Sequence, residues 1–338
     1  MSKIPLLTLI LCLFAMVVDR DASEESMLNT IKVTGQAFRT AGFTPQEQKN
    51  QNRPLVRGAL MTTRIQSLEE LKHLVKFEYF HADTLKNAKL ARQPMLRITH
   101  FSNGMSVCSI LKQGVSEEDF IAAKYGGLWE KVKLGLRYPY SALNRTNLME
   151  VSILARRRPD LFQEGDVAFF DLALAMEANI SQYDRAYLSQ RDLSEKGFLN
   201  SFNHITAQAF LTSIYSEQFA DFVADAHERY HMPALISGHF SQAQREDIEN
   251  GAVDNYVDII NNEWGQELGK RLAQKHNISN ETIWSPGLLA AYLNDMQTYF
   301  SWAFSINLEP FQESDQMLVR FAQKLNRVQE NVYSLSLN

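Results

Sequence analysis

The chain has 338 residues, 45% apolar and 22% charged, which excludes disordered and fibrous classes and allows a sizeable core without covalent staples. Its 34 basic and 39 acidic side chains leave a net charge of −5, so the basic excess of a nucleic-acid surface is missing and no nucleic-acid partner is expected. Two cysteines, Cys12 and Cys108, exclude a disulfide-stapled scaffold.

In chain order, the first signal is the uncharged run IPLLTLILCLFAMVV at 4–18, behind Lys3. Its length suits a signal h-region and falls short of the roughly 20 apolar residues of a spanning helix. Residues 1–22 are therefore read as a signal peptide or export segment, which places the protein in the periplasm or outside the cell. An uncleaved segment would be its one membrane attachment.

Residues 23–135 are expected to form a mostly helical N-terminal region. Its start, 19–60, is polar and reads as a lead-in. Ser67 with Glu70 makes a capping-box pattern for a helix bearing Leu68, Leu71, Leu74 and Val75. Asn103-Gly104, between two apolar stretches, offers a hairpin turn, although the flanking residues alternate poorly. Gly126-Gly127 and Pro139 punctuate the chain, and 147–156 and 166–178 read as helices.

Residues 136–338 are expected to form the domain that carries the site. Its clearest helices cover about 201–215, a stretch from Ser216 to before Pro233, 241–251, 254–275, a segment opened by Ser285-Pro286, and 315–332. The face Leu288, Leu289, Tyr292, Leu293, Met296, Tyr299, Phe300 is apolar nearly all round, which marks that helix as the central one. Short connections between these helices predict a mainly α, compact, multi-helix, bundle-like fold.

The chemistry concentrates at His227-Glu228-Arg229-Tyr230-His231, an H-E-x-x-H segment. Helical positions four apart lie about 40° apart around the axis, so both imidazoles project from one face. Two nitrogens so placed can bind one zinc ion, and the glutamate between them can act as general base on a zinc-activated water. Phe219, Phe222, Val223, Ala226 and Tyr230 make the core stripe that supports the helical reading. Ala234 and Ser237 stand where the extended metzincin motif needs a glycine and a third histidine, so that class is excluded.

A third ligand is sought on the 254–275 helix. There Asp254, Asp258, Asn261, Gly265 and Gly269 form a stripe of small and polar residues, and the Ala220/Ala224 line is its expected partner. This docking selects Asp258, with Asp254 and Glu263 next, although Glu263 points away from the stripe. His204 or Tyr256 would stabilise an oxyanion. The ordinary alternative is a buried polar network in which these groups satisfy one another.

The ordered elements Phe202-x-His204, Ala226-His227-Glu228 and Asp258-x-x-Asn261-Asn262-x-x-Gly265 resemble an uncharacterised bacterial helical domain. That domain occurs alone and at the ends of large secreted or toxin-like proteins. The likeness covers about 195–275. It implies a functional set of His204, His227, Glu228, Asp258 and Asn261, with His231 incidental.

The leading expectation is an exported, zinc-dependent hydrolase acting on a peptide or cell-envelope polymer. His227, His231 and Asp258 would hold the metal and Glu228 would activate water. The rivals are a non-catalytic helical interaction protein and a metal-independent, toxin-like enzyme using His204 and His227 as an acid–base pair.

Overall fold

The computed structural model describes residues 58–81 and 94–335. The export segment and most of the polar lead-in lie outside the described residues.

Ser67 caps α1 (Leu68–Leu74), its hydroxyl accepting from the Glu70 amide at 3.1 Å. Three strands follow, β1 (Val75–His81), β2 (Pro94–Ser102) and β3 (Met105–Lys112), paired antiparallel in that order. The hairpin is real. Asn103 and Gly104 take φ of 48° and 76°, the left-handed pair that a two-residue turn needs, and Ser102 faces Met105 across it. Alternation was obscured because the inner face of β2 carries His100 and Ser102 beside Leu96 and Ile98. His100 can sit there because Trp264 donates its indole N–H to Nδ1 at 2.9 Å. The N-terminal region thus contains helices and, beyond the expectation, a sheet.

The remainder is helical, as the periodicity predicts: α2 (Glu117–Tyr125), α3 (Leu128–Arg137), α4 (Pro139–Leu143), α5 (Arg145–Leu154), α6 (Pro159–Phe162) and α7 (Phe169–Ala178). Then come α8 (Gln182–Arg185), α9 (Phe198–Ile214), α10 (Glu217–His231), α11 (Gln242–Glu246), α12 (Ala252–His276), α13 (Pro286–Phe304) and α14 (Gln316–Leu335). One apolar cluster runs from Ala59 to Val328 and joins the sheet residues Leu96, Ile98 and Leu111 to the helices.

The central helix is α9, which corrects the expectation for α13. Every residue of α9 except Asn200 is buried, because α7, α10 and α12 all pack against it. Its polar residues are therefore obliged to pair inside the protein.

The glycine stripe of α12 also docks differently from expectation. A Cβ on Gly265 would lie 2.7 Å from the Ile205 carbonyl oxygen, and one on Gly269 would lie 2.5 Å from that of Ala209. The close partner is α9, not the Ala220/Ala224 line of α10. This packing turns Asp258 toward His204.

Candidate functional site

Helix α10 starts at Ser216, whose hydroxyl accepts from the Phe219 amide, and is anchored by buried Phe219, Val223 and Ala226. It ends at His231, before Pro233. The imidazoles of His227 and His231 share a face with ring centroids 4.3 Å apart. His227 is buried and His231 is exposed at the helix end. Burial, then the neighbouring His227, push the His231 pKa down to about 4, so its ring is neutral at pH 7.

The third member of this outer group is Glu117, from the first turn of α2. Its Oε1 lies 3.0 Å from His227 Nδ1, and one ligand atom from each of Glu117, His227 and His231 falls within 4.8 Å of the others. Arg229, on the turn between the two histidines, positions this carboxylate. It donates from Nε to the Lys112 carbonyl at 2.7 Å and from Nη1 to that of Val115 at 2.9 Å, and it pairs with Asp225. The β3–α2 connection is thereby clamped onto α10. Sequence reading missed Glu117, since an acidic residue in a first helical turn ordinarily reads as a partner for the helix dipole.

An inner group lies on the neighbouring side of α10, where ligand atoms of His204, Glu228 and Asp258 also fall within 4.8 Å of one another. All three are buried. Asn262 bridges two of them: its Nδ2 donates to Glu228 Oε1 at 3.4 Å, so its Oδ1, 2.9 Å from His204 Nδ1, accepts from that ring. The proton on Nδ1 leaves Nε2 directed at Asp258. Nε2 is 3.2 Å from Asp258 Oδ1, within ion-pair distance, but no hydrogen-bond acceptor lies in line with it. Asn200 donates to the same Asp258 oxygen at 2.7 Å.

Charges follow from these contacts. Burial pushes the His204 pKa down, but the Asp258 charge and the Asn262 hydrogen bond outweigh it and leave it raised. Burial pushes Asp258 up, and His204 brings it below its ordinary value. Glu228 is driven well above the carboxylate range by burial and then by the charges of Asp258 and Asp254. The surroundings of the inner group thus favour the protonated forms of His204 and Glu228 and the ionised form of Asp258.

The other expected residues have different places. Asp254 is held by Lys196 and by Thr62 Oγ1 at 3.0 Å, its pKa raised to about 7 by burial and Asp258. Asn261 accepts from the Leu60 amide and donates to the Leu60 carbonyl, both at 2.9 Å, so it tethers the chain entering the fold. Tyr256 belongs to neither group. Its hydroxyl donates to the Leu235 carbonyl at 3.0 Å and touches Tyr79, and its ring packs on Phe77 and Phe240. It stands two positions from Asp254 and from Asp258, which turns it to the far side of α12. Glu263 faces Ser109 and the Asp221/Asp225 pair, away from the site as its position suggested.

The expected metal set is therefore divided. His227 and His231 meet Glu117, while Asp258 meets His204 and Glu228. The two groups remain neighbours, because His227 and Glu228 are consecutive residues of α10. Each is geometrically able to hold a metal ion. Two imidazoles and a carboxylate, with one imidazole at the surface, are also the donors of three-ligand catalytic zinc sites.

Comparison of the chain with protein-family models, with curated proteins and with solved structures finds no match in any of the three.

Proposed function

We propose that the protein is an exported, zinc-dependent hydrolase of a peptide or cell-envelope polymer, with its metal held by Glu117, His227 and His231. One observation carries the reading: a buried carboxylate from α2 joins both histidines of H-E-x-x-H where His231 opens to solvent. The donor chemistry fits zinc, since His231 is neutral and one carboxylate offsets part of the ion's charge.

A bound zinc ion would supply Lewis acidity and lower the pKa of a water to about 7. The chain supplies the rest. Arg229 holds the Glu117 loop in place before any ligand arrives. Glu228, adjacent to His227, is held above the carboxylate range by burial; with a dication bound at the outer group its pKa would fall, and the carboxylate would then take the proton of the attacking water. Asn262 fixes one of its oxygens and leaves the other for that proton. His204 and Asp258 act through Asn262 and are positioning residues. The apolar run at 4–18, read as an export segment, is what suggests an envelope substrate.

Metal chelation tests this. EDTA should abolish hydrolysis of casein or of cell-wall polymer, and zinc should restore it. Activity that survives EDTA would favour the second reading, an acid–base enzyme without metal. That reading has its own support, because His204–Asp258 and His227–Glu117 are each histidine–carboxylate pairs, at 3.2 and 3.0 Å. If no activity is found and His227→Ala only lowers Tm, the residues are a structural network.

A further inference from the structure

We propose that the outward face of α3, with Tyr125 before it and Leu143 after it, is a peripheral binding surface for an anionic lipid bilayer. It is independent of the metal reading. Leu128, Trp129 and Leu136 are 67%, 75% and 76% exposed, and Tyr125 and Leu143 are as open. Five of the large apolar side chains that solvent reaches thus fall within 19 residues, and apolar exposure concentrated in this way marks an interaction surface.

The helix explains their arrangement. Leu134 is buried and fixes which side of α3 faces the protein. At about 100° per residue, Leu128, Trp129, Val132 and Leu136 share a stripe about 100° wide on the other side. Lys131 and Lys133 border this stripe, one on each edge. Glu130, the one acid of the helix, falls on the far side, where it meets Lys133 at 3.5 Å.

Lysines flanking an apolar stripe that contains a tryptophan are the pattern of a helix lying in a membrane interface, with apolar side chains inserted and ammonium groups at the headgroups. Charge selects the lipid. Residues 124–145 carry Lys124, Lys131, Lys133, Arg137 and Arg145 against Glu130, in a chain of net charge −5, although Glu118 and Asp119 of α2 share a groove with Lys133 and Arg137. A protein partner fits less well, because lysine is depleted in protein–protein interfaces. No helix among the described residues is long and apolar enough to cross a membrane, so this contact would be interfacial. Since α2 carries Glu117 at its start and packs on α3, a bilayer here would lie one short helix, about 14 Å, from the outer group.

The test uses the full chain with vesicles of phosphatidylglycerol and phosphatidylcholine (3:7) and with phosphatidylcholine alone. Tryptophan emission should shift to the blue with the anionic vesicles, and the shift should vanish in Trp129→Phe. The double change Lys131→Gln/Lys133→Gln should weaken binding by roughly 30-fold, at a factor of about five per basic residue. These side chains lie at the surface, so an unchanged Tm in both variants certifies the fold. Binding without a Trp129 signal would assign the contact to another segment and overturn the proposal. So would Trp129 emission already blue-shifted in lipid-free protein at concentrations where the chain self-associates, which would make the face an interface between copies.

Discussion

Replacing Gly265 by alanine sets two effects of opposite sign against each other. Gly265 lies inside α12, and helix propensity alone predicts a gain of about 1 kcal/mol for alanine. Packing opposes it. The new Cβ would stand 2.7 Å from the Ile205 carbonyl oxygen, 2.8 Å from Gln208 Cβ and 2.9 Å from Ile205 Cα. Two of these atoms are backbone of the central helix, buried at Ile205, so relief requires α9 and α12 to separate by roughly half an ångström. Overpacking of this kind costs about 1–3 kcal/mol. At the upper half of that range Gly265→Ala is net destabilising by about 1–2 kcal/mol, a fall in Tm of a few degrees. The same shift would pull Asp258 from His204. Gly135 is the control: inside α3, its added Cβ would meet only Ala142 Cβ, at 3.9 Å, so Gly135→Ala should stabilise by up to about 1 kcal/mol. Thermal or urea unfolding of both variants decides it. If Gly265→Ala and Gly135→Ala both stabilise, the close approach of α9 and α12 is refuted.

Arg229→Met should cost about 3–5 kcal/mol in urea unfolding, because it strands the buried Asp225 carboxylate and frees Lys112 and Val115, and it should also weaken zinc binding. An unchanged midpoint would contradict the clamp. Burial holds the His100 pKa down at about 4 against an ordinary 6.5, so its stabilisation is complete above pH 6.5 and is lost as pH falls through 4. The difference corresponds to about 3 kcal/mol. Urea midpoints at pH 7 and pH 4.5 should therefore differ more for the wild type than for His100→Gln, and equal slopes would reject the assignment. Tyr256→Phe should cost about 1–2 kcal/mol through the orphaned Leu235 carbonyl and leave zinc affinity unchanged, whereas loss of turnover at full zinc loading would return Tyr256 to the chemistry.

The helices were legible where apolar spacing and caps agreed, as at Ser216, Ser241 and Ser285. The sheet was half legible, since Asn103-Gly104 announced a turn while His100, a polar residue on an inner face, hid the alternation. Within the site, H-E-x-x-H spacing puts both imidazoles on one face wherever α10 packs, so that much followed from local geometry. Which carboxylate they meet depends on tertiary docking. Gly265 and Gly269 signal a close helix neighbour, but nothing in their spacing distinguishes α9 from α10, and that choice moved Asp258 from the outer group to the inner one. Glu117 depends on Arg229 reaching 117 residues back to Lys112, a contact with no local trace.

Zinc content of the purified protein and two variants tests the centre most directly. The wild type should hold one zinc per chain at the outer group, Glu117→Ala should lose it, and Asp258→Asn should keep it with affinity changed by less than about tenfold. Zinc retained by Glu117→Ala and lost by Asp258→Asn would contradict the assignment and place the ion on the inner carboxylate.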